Sequence, residues 1–190
     1  MFTQIIAGDI LLKPVEGHDA GEIFSLANAN RSYLRRWLPW LDSTQSVKDT
    51  AKFIEESRKQ HEQKTALVVG IHYDGKIAGV IGFHNFNWPN RLTSMGYWLA
   101  ENLQARGLMT RSCAALIDFA LQELKLNRVE IRCAVGNARS RKIPERLGFH
   151  NEGTIRDGEW LNDRFVDLVV YGMLAREWPA VRHAGKSPGV

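Results

Sequence analysis

The sequence predicts a mixed α/β domain: one central sheet with helices on both faces. Three observations point there. Segments alternating with period two are interleaved with segments of helical period. The chain has 190 residues, enough for one domain with a substantial core. No repeat, low-complexity block or linker divides it, so residues 1–178 read as a single domain and 179–190, which lack periodicity, as a flexible tail.

In chain order, a first strand is expected over residues 9–14. Asp19 is placed to cap a helix over 19–30, with Ile23, Phe24, Leu26 and Ala27 as its apolar positions. An aromatic stretch, Tyr33-Leu34-Arg35-Arg36-Trp37-Leu38-Pro39-Trp40, follows. Ser46 then opens a second helix, over 46–61, with Val47, Ala51, Phe53 and Ile54 apolar. Residues 66–73 and 76–85 read as strands joined by Asp74-Gly75, a hairpin signal. A loop at Trp88-Pro89-Asn90 leads to a third strand near 94–99. From Gly107 a long amphipathic helix runs, its buried face marked by Met109, Cys113, Leu116, Ile117, Ala120, Leu121 and Leu124. Residues 127–135 alternate as a strand, and 138–147 form a short helix stopped by Gly148. Residues 149–155 and 165–174 make a closing pair of strands.

Composition narrows the function. The net charge of +4, from 25 basic and 21 acidic residues, is mild and dispersed, which argues against nucleic-acid binding and suits a polyanionic ligand or an acidic partner. No apolar run reaches the roughly 18 to 20 residues needed to span a bilayer, and the N-terminal segment lacks a signal-peptide pattern, so a cytoplasmic protein without membrane contact is expected. Cys113 and Cys133 fall on a helix and a strand and read as buried free thiols. The six histidines show no metal-ligand spacing, and no metal is expected.

The segment Leu99-Ala100-Glu101-Asn102-Leu103-Gln104-Ala105-Arg106-Gly107-Leu108-Met109-Thr110 joins a strand to the long helix. Gly107 permits a tight turn there, and the unpaired N–H groups of the first helical turn point towards anything negative. Arg106 adds a charge. Neither GxxxxGK[ST] nor GxGxxG is present, so this is neither a P-loop nor a dinucleotide fingerprint.

The same segment resembles motif A of the GNAT N-acetyltransferases, Q/R-x-x-G-x-G/A, with Gln104, Gly107 and Met109 on its positions; Met109 departs from the usual Gly or Ala. Gly96-Tyr97-Trp98-Leu99 resembles the family's splayed strand. Asn137-Ala138-Arg139-Ser140 with Leu147-Gly148-Phe149 resembles its second signature. Further blocks, Leu34-Arg35-Arg36-Trp37-Leu38-Pro39-Trp40, Ala78-Gly79-Val80-Ile81-Gly82-Phe83 and Glu152-Gly153-Thr154-Ile155-Arg156 through Val170-Tyr171, are similar to the ribosomal-protein serine/alanine N-acetyltransferase branch. Together the blocks span roughly residues 9 to 178.

The resemblance implies a GNAT fold, with its single mixed sheet splayed at an acetyl-CoA site. It implies cofactor contacts from Trp98, Leu99, Gln104, Arg106, Gly107, Leu108, Met109, Thr110, Asn137 and Ser140. The oxyanion donor is expected from the main chain at Trp98 and Leu99. Ser140 is the candidate acid for the departing thiolate, although Asn137 or Ser140 also reads as a plain helix cap. Glu159, in an expected loop Asp157-Gly158-Glu159-Trp160, is the candidate base; a solvated loop carboxylate is its alternative. Trp37, Trp40 and His84 are candidates for the acceptor pocket, with Arg35 and Arg36 beside them; for His84 a structural histidine is the favoured alternative. Cys133 could carry an acetyl group but fits core packing better.

The implied activity is acetyl-CoA-dependent acetylation of the N-terminal α-amine of a protein such as a ribosomal protein. A small-amine acetyltransferase (polyamine or antibiotic-like acceptor) and a non-catalytic acyl-CoA-binding module are the alternatives. A homodimer is compatible with the sequence.

Overall fold

The computed structural model describes residues 2–6 and 9–184. Eight strands form one sheet: β1 (Gln4–Ile6), β2 (Ile10–Pro14), β3 (Leu67–Tyr73), β4 (Lys76–Asn87), β5 (Leu92–Leu99), β6 (Arg128–Ala134), β7 (His150–Leu161) and β8 (Arg164–Leu174). Their order is β1-β2-β3-β4-β5-β6-β8-β7, and among the described residues the single parallel contact lies between β5 and β6. The helices are α1 (Ala20–Ala29), α2 (Arg31–Leu34), α3 (Val47–Glu62), α4 (Leu108–Asp118), α5 (Ala138–Arg146) and α6 (Trp178–Ala184).

Both faces of the sheet are covered, as the continuous burial along β3 and the first part of β4 shows. Leu67, Val69 and Ile71 of β3 pack with Cys113, Leu116 and Ile117 of α4 in the main core. Val68, with Val80, packs on the opposite side against Ile23 of α1 and Ile54 of α3. Asp74 and Gly75 turn the β3–β4 hairpin with positive φ at both positions, 50° and 76°. Ser46 caps α3 in a reciprocal box with Asp49.

The structure corrects three local expectations. The Asp19 carboxylate accepts from the Glu16 N–H (2.8 Å), capping a short 3₁₀ turn before α1 rather than α1 itself. The segment expected to be a loose tail is helical as far as Ala184; residues 185–190 lie outside the described residues. Trp178 anchors that helix, 1% exposed, donating its indole N–H to Asp118 Oδ1 (2.7 Å). Finally, Glu159 is not in a loop. It lies on β7, which crosses the expected gap after an irregularity between Ile155 and Glu159; the turn is at Asn162-Asp163.

The feature that shapes the site is where two neighbouring strands part. β5 and β6 pair from Leu92 with Arg128 to Met95 with Ile131, and the pairing stops there. Beyond it, β5 continues along β4 as far as Leu99, while β6 continues along β8 as far as Ala134. The sheet therefore opens into a V, with α4 and α5 beside it.

Candidate active site

A cleft of about 1570 Å³ runs through this V. At one end it meets the N-terminus of α4. Gly107 caps that helix with φ 74°, a left-handed conformation that L side chains enter at a cost of about 1 kcal/mol. A Cβ built on Gly107 would have only the Arg111 guanidine nitrogen nearby, at 4.0 Å, so space lies open above it. No side chain caps this end, and the first main-chain bond within the helix is Arg111 N–H to Gly107 O. The N–H groups of Leu108, Met109 and Thr110 thus lack intrahelical partners and suit an anion. Met109 has its side chain in the core, 7% exposed, so its bulk does not block approach to the main chain.

Of the expected motif residues, Gln104, Gly107, Leu108, Met109 and Thr110 line the cleft, and Arg106 does not. Arg111 lines it instead, anchored by Asp9 at 3.0 Å. The Gln104 side chain is already engaged: its amide donates to Tyr33 Oη (2.5 Å) and accepts from Arg139 (2.9 Å). It joins the aromatic segment to α5. Arg139, Lys142 and Arg146 form a basic row on the cleft side of α5, a spacing of i, i+3 and i+7 that was readable in the sequence and was missed.

Along the V, Trp98 and Leu99 both border the cleft. Ala100 N–H bonds to Ala78 O on β4. Strand alternation then turns the main-chain groups of Trp98 towards β4 and those of Tyr97 and Leu99 into the gap. Of the expected pair, Leu99 therefore faces its main chain into the gap, together with Tyr97, and Trp98 does not. The Trp98 ring pairs with Trp40, centroids 6.3 Å apart.

Asn137 caps α5, its side chain accepting from Ser140 N–H at 3.2 Å, so the capping reading holds for Asn137. The Ser140 hydroxyl is free of that duty. It lies 3.2 Å from Cys133 Sγ and 3.3 Å from Tyr97 Oη. Both cysteines are buried free thiols, and burial pushes both up, away from the thiolate form. That disfavours an acetyl-cysteine route.

Trp37, Trp40, His84 and Glu159 also line the cleft, the two tryptophans giving it an aromatic wall. Arg35 and Arg36 do not line it. Arg35 is bound by both its Nε and Nη2 to Asp42. The β7–β8 turn is tied to the same segment, since Asn162 donates to Arg35 O at 2.7 Å. Glu159 is half-buried, and desolvation raises its pKa; no cation pairs with it among the described residues. His84 is held towards its neutral form by desolvation alone. Phe53, Glu56, Asp49 and Lys52 of α3 also reach the cleft and were not singled out from sequence, because on a helix of mixed polarity nothing marks which exposed residues face a ligand.

The family model of the acetyltransferase (GNAT) domain matches residues 9–150. The chain is 39% identical over 180 residues to the putative ribosomal N-acetyltransferase YdaF of Bacillus subtilis, covering 94% of this chain and 98% of that protein. It is 29% identical over 172 residues to the ribosomal-protein-serine acetyltransferase of Escherichia coli, covering 90% and 96%. Among solved structures it is similar to RimL, a ribosomal L7/L12 alpha-N-protein acetyltransferase in complex with coenzyme A. That match has a TM-score of 0.88 at 25% identity and covers 91% and 98%. The splayed sheet, the open α4 terminus and these likenesses agree: the chain belongs to the GNAT acetyltransferase family and is an acetyltransferase related to the ribosomal-protein acetyltransferases.

Proposed function

We propose that the protein transfers an acetyl group from acetyl-CoA to the N-terminal α-amine of a protein, a ribosomal protein in the first instance. The observation that carries this reading is the continuity of the cleft. One space runs from the open N-terminus of α4, past Ser140, to Glu159 and the aromatic wall.

The residues fit the donor. The free N–H groups at Leu108, Met109 and Thr110 and the open space over Gly107 suit a pyrophosphate. The row Arg139, Lys142 and Arg146 suits further phosphate charge. The main chain of Tyr97 and Leu99, facing the gap, suits the amide-bearing arm and the acetyl carbonyl. Acetyl-CoA supplies the activated thioester.

The chemistry follows from what each side chain can do. The α-amine attacks the acetyl carbon, the C–S bond breaks, and the products are an amide and free CoA. In this reading Leu99 N–H holds the carbonyl oxygen as charge develops on it. Glu159 takes the amine's proton, directly or through a water. Its raised pKa strengthens it as a base relative to an ordinary carboxylate. Ser140 donates a hydrogen bond to the departing thiolate, whose pKa, near the roughly 8.5 of a free thiol, makes it a tolerable leaving group.

The acceptor preference follows from acidity. An α-amine has a pKa of about 8 and a lysine amine about 10.4. Near neutral pH roughly a tenth of the former is uncharged, against less than about a thousandth of the latter. A single carboxylate base suits the α-amine. A steady-state assay compares a Ser- or Ala-starting acidic peptide with the same peptide carrying a blocked N-terminus and a free lysine. The first is acetylated and the second is not. A polyamine or lysine peptide turning over far faster would replace this reading with the small-amine one.

A further inference from the structure

We infer that Tyr97 is a positioning residue for the acetyl-transfer step, holding the Ser140 hydroxyl across the opening of the sheet at the place where the thioester sulfur must lie. The inference rests on the reading that Ser140 serves the departing thiolate.

Three elements meet at this point. Tyr97 stands on β5, Cys133 on β6 and Ser140 in the first turn of α5. Strand pairing between β5 and β6 has ended two residues earlier, at Met95 and Ile131, so the main-chain ladder no longer fixes the spacing between the two limbs. Side chains take over. Tyr97 Oη donates to the Ser140 main-chain oxygen at 3.2 Å, and Ser140 Oγ donates to Tyr97 Oη at 3.3 Å. Cys133 Sγ flanks Ser140 Oγ at 3.2 Å.

The assignment of hydrogens decides the role. A tyrosine hydroxyl has one hydrogen, and here it goes to the Ser140 carbonyl. Tyr97 therefore acts towards Ser140 Oγ only as an acceptor. The serine hydrogen has two neutral acceptors within reach, the phenol oxygen and Cys133 Sγ, and it can turn from either to a sulfur that gains negative charge as the C–S bond breaks. A charged acceptor outcompetes a neutral one, so the turn is driven by the chemistry itself. Tyr97 meanwhile keeps its own bond to the carbonyl and holds the first turn of α5 in place. Burial keeps the phenol protonated throughout, which agrees with anchoring and not with proton supply.

The pairing was not legible in the sequence, because residues 97 and 140 are 43 positions apart and the Gly96-Tyr97-Trp98-Leu99 block pointed to its main chain, not to the Tyr97 side chain.

The test is a cycle of Tyr97→Phe, Ser140→Ala and the double variant, each read by kcat, by acetyl-CoA affinity in calorimetry, and by thermal unfolding. Tyr97→Phe should lower kcat about tenfold and leave acetyl-CoA affinity within about twofold of wild type. The double variant should be no slower than Ser140→Ala alone, since the tyrosine acts through the serine. If Ser140→Ala is slow and Tyr97→Phe turns over at the wild-type rate, Tyr97 has no positioning role and the Ser140 reading survives. If the two losses multiply in the double variant, Tyr97 acts independently of Ser140 and the inference falls. If Ser140→Ala itself runs at the wild-type rate, the serine reading fails first and takes the inference with it. Should Tyr97→Phe not fold, a crystal structure of the wild-type protein with CoA decides: Tyr97 Oη stays within hydrogen-bonding distance of the Ser140 carbonyl, whereas their separation overturns the inference.

Discussion

The imidazole of His84 lies on Gly96: a Cβ built on that glycine would sit 2.5 Å from His84 Nε2. The clash is with the tip of a side chain, so Gly96→Ala should fold and instead swing the ring away from the floor of the cleft. We expect KM for the amine acceptor to rise or kcat to fall by about tenfold, with acetyl-CoA affinity unchanged. His84→Ala should give the same pattern in the same steady-state assay. Gly79→Ala differs, because its Cβ would meet main chain, Trp98 O at 2.2 Å and Leu99 Cα at 2.9 Å. It should destabilise the fold by about 1–3 kcal/mol in denaturant unfolding.

Gly107→Asp places a carboxylate in the open space at the α4 N-terminus, where the donor's phosphates are proposed to lie. Acetyl-CoA binding by calorimetry should weaken by at least about a hundredfold through charge repulsion, with a modest loss of stability from the positive φ. Unchanged affinity in a folded variant would remove the phosphate site from α4.

Glu159→Gln keeps shape and removes the base. Loss of general-base help typically lowers turnover by about 10² to 10⁴. The variant should also melt at the same temperature as wild type or higher, since the ionised carboxylate is desolvated and has no cationic partner among the described residues. The pH profile carries a sign. The base works deprotonated and its pKa is raised, so the acidic limb of kcat/KM should lie above the ordinary carboxylate range. The limb should vanish in Glu159→Gln, leaving only the rise due to the amine.

Asp118 tests the frame away from the chemistry. Its carboxylate accepts from Trp178 Nε1 and from Arg182 Nη2, both at 2.7 Å. Asp118→Ala leaves a buried indole N–H unpaired and should cost about 1–3 kcal/mol. That corresponds to a fall in Tm of roughly 2–4 °C per kcal/mol for a domain of this size. The acetyl-transfer rate should be unchanged at temperatures below the transition.

Much of this architecture was legible in the residues. Alternation located β6, a β-like apolar run with the Asp74-Gly75 hairpin signal located β3 and β4, and Ser46 located the start of α3. Gly107 was legible only in context: a glycine between a strand and a helix often binds nothing, and it was the surrounding motif, Gln104 to Met109, that marked this one. What was not legible depended on contacts distant in sequence. Asp19 carries the signature of a helix cap but answers to Glu16. Pro179 and Ala180 look like tail, yet follow Trp178, whose burial is set by Asp118, sixty positions earlier. Asp157-Gly158 reads as a turn, but pairing with β8 carries β7 through it and onto Leu161. Arg106 matches the motif and misses the cleft, while Arg111, one turn into α4, reaches it.

The acceptor is tested most directly in cells, by mass spectrometry of ribosomal-protein N-termini with and without this protein. The proposed function predicts that at least one Ser- or Ala-starting ribosomal protein is acetylated at its α-amine only when the protein is present, and not when Glu159→Gln replaces it. Ribosomal N-termini that are identical in all three samples, alongside a polyamine acetylated only by the wild type, would contradict it.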